Sequence, residues 1–155
     1  MYHSIFIKQF IFITVLMIVG VILLATTLFN ERYWEKFKKV NDDKLAKCLN
    51  KAAVIVFYIM FVIYVYFPIV LDKQIIDDNN YSVLDCAIVK QDIVEGGAFG
   101  LLKSIIVEQD GIEYELSVLK VEGNIKKDDI VKVTYLPNSK YAVIEKITES
   151  KDKEY

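Results

Sequence analysis

Two long uncharged runs constrain the fold of this chain more than any other feature. They occupy residues 10–29 and 52–71, and each contains 20 residues dominated by Ile, Val, Leu and Phe. An α-helix rises 1.5 Å per residue, so each run spans about 30 Å, the thickness of a bilayer's hydrocarbon core. The runs therefore predict two transmembrane helices, which we expect to extend over about residues 5–40 and 43–71.

Neither a cleaved signal peptide nor a soluble core accounts for these runs as well. A cleaved signal peptide has an apolar region of about 7–15 residues followed by small residues at the cut, whereas the first run is longer and ends in Leu28 and Phe29. Burial of both helices inside a soluble protein would need more chain than remains among the 155 residues.

Positive charge predicts which way the helices are oriented. The segment between the runs, residues 30–51, carries seven basic and four acidic residues, a net charge of +3. Residues 72–155 carry 11 lysines and 17 acidic residues, a net charge of −6. Because basic loops stay on the cytoplasmic side, we expect residues 30–51 to be cytoplasmic. The N-terminus and the C-terminal region should face outward in this multi-pass protein of the cell membrane.

Aromatic and basic residues flank the predicted spans, as is typical of interfacial anchors. The candidate anchors are Tyr33, Trp34, Lys36, Lys38, Lys39, Tyr64 and Tyr66. The lysines among them could also bind anionic headgroups, although a small cluster is the ordinary positive-inside signal.

Five β-like runs follow the helices, at residues 82–90, 101–109, 112–121, 130–136 and 141–148. The third alternates between apolar and polar residues, as a half-buried strand does. Asp110 and Gly111, between the second and third runs, are typical of a two-residue hairpin turn. The fold class predicted is an α+β membrane protein: a two-helix transmembrane hairpin followed by a small five-stranded antiparallel β-barrel-like domain of OB-like or SH3-like type.

The composition divides the chain into four parts. Residues 1–71 form the predicted helical hairpin and residues 72–81 a polar linker. Residues 82–148 form the β domain, and residues 149–155 are a charged tail.

One stretch carries a family resemblance. Gly111-Ile112-Glu113-Tyr114, followed by Lys127-Asp-Asp-Ile-Val-Lys-Val-Thr-Tyr-Leu-Pro137, resembles small bacterial membrane proteins whose β domain has a G-D-x-V-x-V-x-Y-x-P strand. The layout is also similar to that of NfeD-like proteins, in which helices precede an OB-fold domain. Asp128 stands where that pattern has glycine. The resemblance covers residues 110–148 and implies a fold, with no activity attached.

The sequence shows no cluster typical of catalysis or metal binding. The single histidine, His3, is at the N-terminus, and no phosphate-binding loop or nucleophile elbow is present. We therefore expect no enzymatic activity, cofactor, small-molecule substrate or nucleic-acid partner.

Two cysteines, Cys48 and Cys86, should lie on opposite sides of the membrane and cannot pair within one chain. We expect each to pack as a small hydrophobic residue. Palmitoylation of Cys48 or an interchain bridge through Cys86 are the alternatives.

The connection at residues 91–100 is a candidate partner-binding loop. It is longer than a tight hairpin and combines three glycines with apolar residues near a polar rim, a composition that suits binding loops on small β scaffolds. Its candidate residues are Ile93, Val94, Gly96, Gly97 and Phe99. The alternative is a flexible connection whose apolar side chains enter the core or the membrane surface. If the loop binds a partner, Phe99→Ala should weaken partner capture without unfolding the domain.

These features favour a membrane-anchored protein-interaction module with its β domain outside the cell. Its partners would be the lipid bilayer and either another protein or further copies of itself. It could be a subunit of a membrane complex or an immunity-type protein. The alternative is a homo-oligomeric channel or transport component, which normally needs polar or ionisable groups lining the membrane spans.

Overall fold

The computed structural model describes residues 2–29, 44–95 and 103–147. Its helices are α1 (Tyr2–Phe29), α2 (Lys44–Phe61), α3 (Phe67–Leu71) and α4 (Lys73–Asp77), with a π-helical turn (Val62–Tyr66) between α2 and α3. Its strands are β1 (Ser82–Glu95), β2 (Lys103–Gln109), β3 (Ile112–Glu122), β4 (Ile130–Tyr135) and β5 (Tyr141–Lys146). The chain divides into two compact units, one containing Met1–Phe6 with Gln74–Tyr155 and the other containing Ile7–Lys73.

Within the described ranges, two helices are long and apolar enough to cross a membrane. They are Tyr2–Phe29 and Cys48–Asp77, and only 6% of the most apolar window of each is buried in protein. The helical stretch that contains the second span begins at Lys44, next to the predicted start at residue 43, but the span continues beyond the predicted end at residue 71 to Asp77. The predicted extension of the first helix to residue 40 lies outside the described residues.

The helices of the second unit are antiparallel. At one end, the Lys51 ammonium donates to the Leu28 carbonyl oxygen at 3.4 Å. Near the middle, the Tyr58 hydroxyl donates to the Met17 sulfur at 2.8 Å. Tyr58 also lies across Gly20, where an added Cβ would come within 2.9 Å of its ring. Gly20 thus allows the two helices to approach closely, as small residues do in membrane helix pairs.

The π-helical turn precedes a proline. The Phe67 N–H donates to the Val62 carbonyl, five residues back, and Pro68 follows in the first turn of α3. Pro68 has no N–H to continue the α-helical pattern, so the helix widens locally while the chain remains helical.

The five strands form a closed barrel with the order β1-β2-β3-β5-β4. Four neighbouring pairs are antiparallel, but β3 and β5 are parallel. The prediction of a purely antiparallel barrel is therefore wrong. After β3 the chain crosses to a position beside β1, where β4 pairs, and β5 then returns between β4 and β3. Apolar alternation is the same in parallel and antiparallel strands, so the sequence pattern does not distinguish them.

The predicted strand positions are confirmed to within a few residues at most ends. The largest difference is β1, which continues through Glu95. Inward-facing residues of all five strands fill the barrel, and Ile125 from the β3–β4 connection joins them. The strand residues of the core are Leu84, Ala87, Val89, Ile105, Val107, Leu116, Val118, Val131, Val133, Ala142 and Ile144.

The predicted hairpin turn is confirmed. Asp110 and Gly111 have φ values of +54° and +78°, which a two-residue turn of this kind requires at both positions. Gln109 and Ile112 close the turn as register partners.

The predicted linker, residues 72–81, contains the short helix α4. Ile76 on this helix is buried, although polar residues surround this segment in the sequence. The four-part division of the chain otherwise stays a prediction.

Candidate functional site

The start of α1 belongs to the same compact unit as the barrel. The Tyr2 hydroxyl donates to a Glu145 carboxylate oxygen at 2.5 Å and also interacts with Thr134. The Phe6 ring packs on Tyr81, with centroids 4.9 Å apart, and His3 Nδ1 lies 3.1 Å from the Tyr81 hydroxyl. Residues from the two ends of the sequence therefore form one packed surface.

This contact explains burial on the outer face of the barrel. Thr134 and Val143 are register partners that alternate with the core residues Val133 and Ile144, so they point away from the barrel interior. Both are nevertheless buried. Tyr2 is one of the groups that cover this face. The burial of Tyr81 raises the pKa of its hydroxyl, which stays neutral and available for hydrogen bonding.

The predicted partner-binding loop is only partly a loop. Ile93 and Val94 lie on β1, where Val94 is the register partner of Ser104 on β2. Two register shifts between Val89 and Val94 let the strand curve without leaving the sheet. Ile93 packs against the barrel core, while Val94 is 41% exposed. The prediction that residues 91–95 form a loop is wrong; Gly96, Gly97 and Phe99 lie outside the described residues.

The candidate membrane anchors are described only in part. Tyr64 and Tyr66 lie in the π-helical turn, and Tyr64 is 72% exposed. Tyr33, Trp34, Lys36, Lys38 and Lys39 lie outside the described residues. Their role as anchors stays a prediction.

Both cysteines are exposed and unpaired, so the prediction that they pack in a core is wrong. Cys86 lies in a bulge of β1, where the register with β4 shifts between Leu84 and Ala87. Its φ is +61°, in the left-handed region. The extra residue of the bulge breaks the two-residue alternation, which turns Cys86 to the surface.

A cleft of about 250 Å³ opens on the barrel between the start of β3 and the β4–β5 turn. Its wall includes the rings of Tyr114 and Tyr135, whose centroids are 6.1 Å apart and whose planes meet at 58°. The lining residues are Glu113, Tyr114, Glu115, Leu116, Tyr135, Pro137 and Lys140. The cleft thus joins an aromatic pair to two carboxylates and one ammonium group.

The charge around the β2–β3 hairpin is mainly acidic. Glu108 and Glu113 are register partners on the outer face, and Glu115 follows on the same face. Glu108 accepts from Lys90 at 2.7 Å, which raises the Lys90 pKa. Of the described residues, none pairs with Glu113 or Glu115 within 4 Å. Like charges opposite one another cost stability, so this face favours a cationic neighbour.

A second charged pair closes the β3–β4 connection. The Lys146 ammonium donates to Asp129 at 2.7 Å, and the Lys126 N–H donates to the same carboxylate oxygen at 2.8 Å. The hydrogen bond from Lys146 is the main reason that the Asp129 pKa is lowered. These contacts fix the connection and serve the fold. Within the described part of the chain, no three His, Cys, Asp or Glu side chains group as metal ligands.

Sequence reasoning missed the cleft because its residues come from two separate segments. The alternation of β3 and the turn after β4 were both visible in the sequence. The pairing of β3 with β5, which brings these segments together, has no local signal. No protein-family model, curated protein or solved structure matches this chain.

Proposed function

We propose that this protein is a membrane-anchored protein-interaction module. In this proposal the two long helices hold it in the cell membrane and present the β-barrel on the extracytoplasmic side. There it serves as a subunit of a membrane complex or as an immunity-type protein that meets an incoming toxin. The observation that supports binding most directly is the aromatic and acidic cleft between β3 and the β4–β5 turn.

The helix surfaces support the anchoring. Apolar side chains such as Phe12, Leu23 and Phe57 are more than half exposed on the protein surface. Such a surface suits a hydrocarbon environment far better than water. The orientation is proposed from charge, since the net +3 of residues 30–51 favours the cytoplasm.

The helices offer little support for the alternative, a homo-oligomeric channel. The hydroxyls of Thr14, Thr26 and Thr27 each donate to a carbonyl oxygen four residues back in the same helix. Hydroxyls satisfied in this way do not need a water-filled path beside them.

We assign the barrel to the OB-like class. A five-stranded barrel with the order β1-β2-β3-β5-β4 and a parallel β3–β5 pair fits that class, whereas an SH3-like barrel is antiparallel. OB folds commonly bind nucleic acid on the β2–β3 face. Here that face carries Glu108, Glu113 and Glu115, which would repel phosphates and therefore disfavour nucleic acid there.

The test is photo-crosslinking of the full-length protein in intact cells. A photo-reactive phenylalanine analogue at position 137 lies beside the cleft, and the same group at Asp85, which is exposed on β1, is the matched control. The proposal expects a discrete protein adduct from position 137 that is absent from position 85. A lack of adducts at both positions, together with a monomer and no partner in mild detergent, would contradict it.

A further inference from the structure

The β3 strand has an open edge beside the cleft. It pairs with β2 from Ile112 to Val118, but its pairing with β5 begins only at Ser117. Residues 112–116 therefore have a strand partner on one side only, among the described parts of the chain. Four consecutive residues of β3 line the cleft because the edge of the strand itself forms one wall.

The main chain at this edge is arranged to accept a strand. The Ser117 N–H donates to the Lys140 carbonyl oxygen at 2.9 Å, which shows that Ser117 directs its peptide groups towards the β5 side. Alternate residues of a strand share that direction. Glu113 and Glu115 therefore also direct their N–H and C=O groups to the open side, about 7 Å apart along the strand.

The two-residue turn supports this direction independently. Gln109 and Ile112 close the turn, so they form a hydrogen-bonded pair. The alternation in an antiparallel ladder then makes Val107 with Tyr114 the next hydrogen-bonded pair and leaves Glu113 and Glu115 unbonded to β2.

The side chains around the edge select the kind of strand. The carboxylates of Glu113 and Glu115 are exposed, and no described cation pairs with them within 4 Å. Edge-to-edge pairing of two copies of β3 would bring four such carboxylates together, which disfavours self-association. A strand bearing lysine or arginine would instead be attracted, because the two carboxylates outnumber the single Lys140 ammonium that also lines the cleft. The Tyr114 and Tyr135 rings add a surface that favours cations.

We propose that the open edge at residues 112–116 binds an extended basic segment of a partner protein by strand addition. This mode of recognition uses main-chain hydrogen bonds for affinity and side-chain pockets for selectivity. The inference deepens the proposed function and rests on it. Protection of an exposed edge by charge alone is the other role these glutamates can have.

The probe is a ten-residue peptide of alternating Lys and Thr or Val, and its control replaces each Lys by Glu. Each is added to the isotope-labelled full-length protein in nanodiscs of zwitterionic lipid. We expect the basic peptide to slow amide hydrogen exchange at Glu113 and Glu115 by at least about tenfold, and the acidic peptide to leave it unchanged. This measurement needs no variant.

Variants separate strand addition from general charge attraction. Glu115→Pro removes an N–H that faces the open side and leaves the β2 pairing intact, so we expect affinity to fall about tenfold. Glu115→Gln keeps the N–H and should weaken binding less, whereas Asp85→Asn removes an exposed acid elsewhere on the barrel and should have no effect.

Unchanged affinity for the basic peptide in the Glu115→Pro variant would overturn the inference. Slowed amide exchange at residues other than Glu113 and Glu115 would also overturn it. If adducts from position 137 persist under those conditions, the proposed function stands and only the strand-addition mode fails. Loss of both the adducts and the peptide binding would count against both.

Discussion

Tyr2→Phe is the substitution that tests the packing of the N-terminus on the barrel most sharply. It removes one hydroxyl and keeps the ring, so the apolar contact area is nearly unchanged. The lost hydrogen bond joins Tyr2 to the Glu145 carboxylate at 2.5 Å. Hydrogen bonds to charged groups contribute about 1.5–3 kcal/mol. Because Glu145 is only partly buried, we expect a value near the lower end of that range, about 1–2 kcal/mol.

Hydrogen exchange at the core amides of Val133 and Ile144 in the full-length protein gives the free energy of unfolding of the barrel unit. Tyr2→Phe should lower it by about 1–2 kcal/mol. Glu145→Gln is the second variant, and the double variant closes a thermodynamic cycle. We expect a coupling energy of about 1 kcal/mol between the two sites. A coupling energy below about 0.3 kcal/mol would show that the bond is not formed in the protein in solution and would refute the reasoning.

Three further predictions concern the helix pair and the β3–β4 connection. Gly20→Leu should separate the two helices, because even a Cβ would lie 2.9 Å from the Tyr58 ring. Disulfide formation between two cysteines, one introduced on each helix, should then be weaker than in the protein that keeps Gly20. Unchanged disulfide formation would contradict the prediction. Gly123→Ala should lower the unfolding free energy by about 1–2 kcal/mol, because the φ of +96° at this position is strained for alanine and the added Cβ would lie 3.1 Å from Lys146 Cβ. A decrease in unfolding free energy of less than about 0.5 kcal/mol, measured by hydrogen exchange, would contradict the prediction. Asp129 has a lowered pKa in the folded state, so its contribution to stability is present above the ordinary carboxyl pKa of about 4 and is lost as pH falls through the folded pKa. Asp129→Asn should therefore reduce the loss of stability at acidic pH when the unfolding free energy is measured against pH. An unchanged loss of stability at acidic pH would contradict the assigned role of Asp129.

Local patterns in the sequence predicted much of this fold. The two uncharged runs predicted the long helices because their length and composition are self-sufficient signals. Asp110 and Gly111 predicted a hairpin because the turn needs two positive φ values, which these residues tolerate. Alternation in β3 likewise predicted its buried face.

Features that depend on distant residues were not predictable in this way. The parallel pairing of Ser117 with Tyr141 depends on how the chain crosses the barrel after β3. The bulge at Cys86 depends on the register of β1 against β4, and it reversed the expected burial of that side chain. The packing of Phe6 on Tyr81 joins residues that are far apart in the sequence.

In the candidate site, too, local features could be predicted from the sequence and long-range features could not. The sequence identified Ile93 and Val94 as apolar residues near a glycine-rich connection, but β1 extends to include them. The cleft at Tyr114 and Tyr135 arises because β5 begins at Tyr141 and leaves the start of β3 unpaired on that side. A strand edge that is open because the neighbouring strand is shorter gives no pattern in the sequence of either strand alone.

Thiol accessibility in intact cells tests the central claim most directly. Cysteines are introduced one at a time at Lys103 and Lys38, in a background with Cys48→Ser and Cys86→Gly, since glycine suits the φ of +61° at position 86. A membrane-impermeant reagent should label position 103 and not position 38, which would place the β-barrel outside the cell. Labelling at position 38 and not at position 103 would invert the topology and contradict the claim that this protein presents its barrel to extracytoplasmic partners.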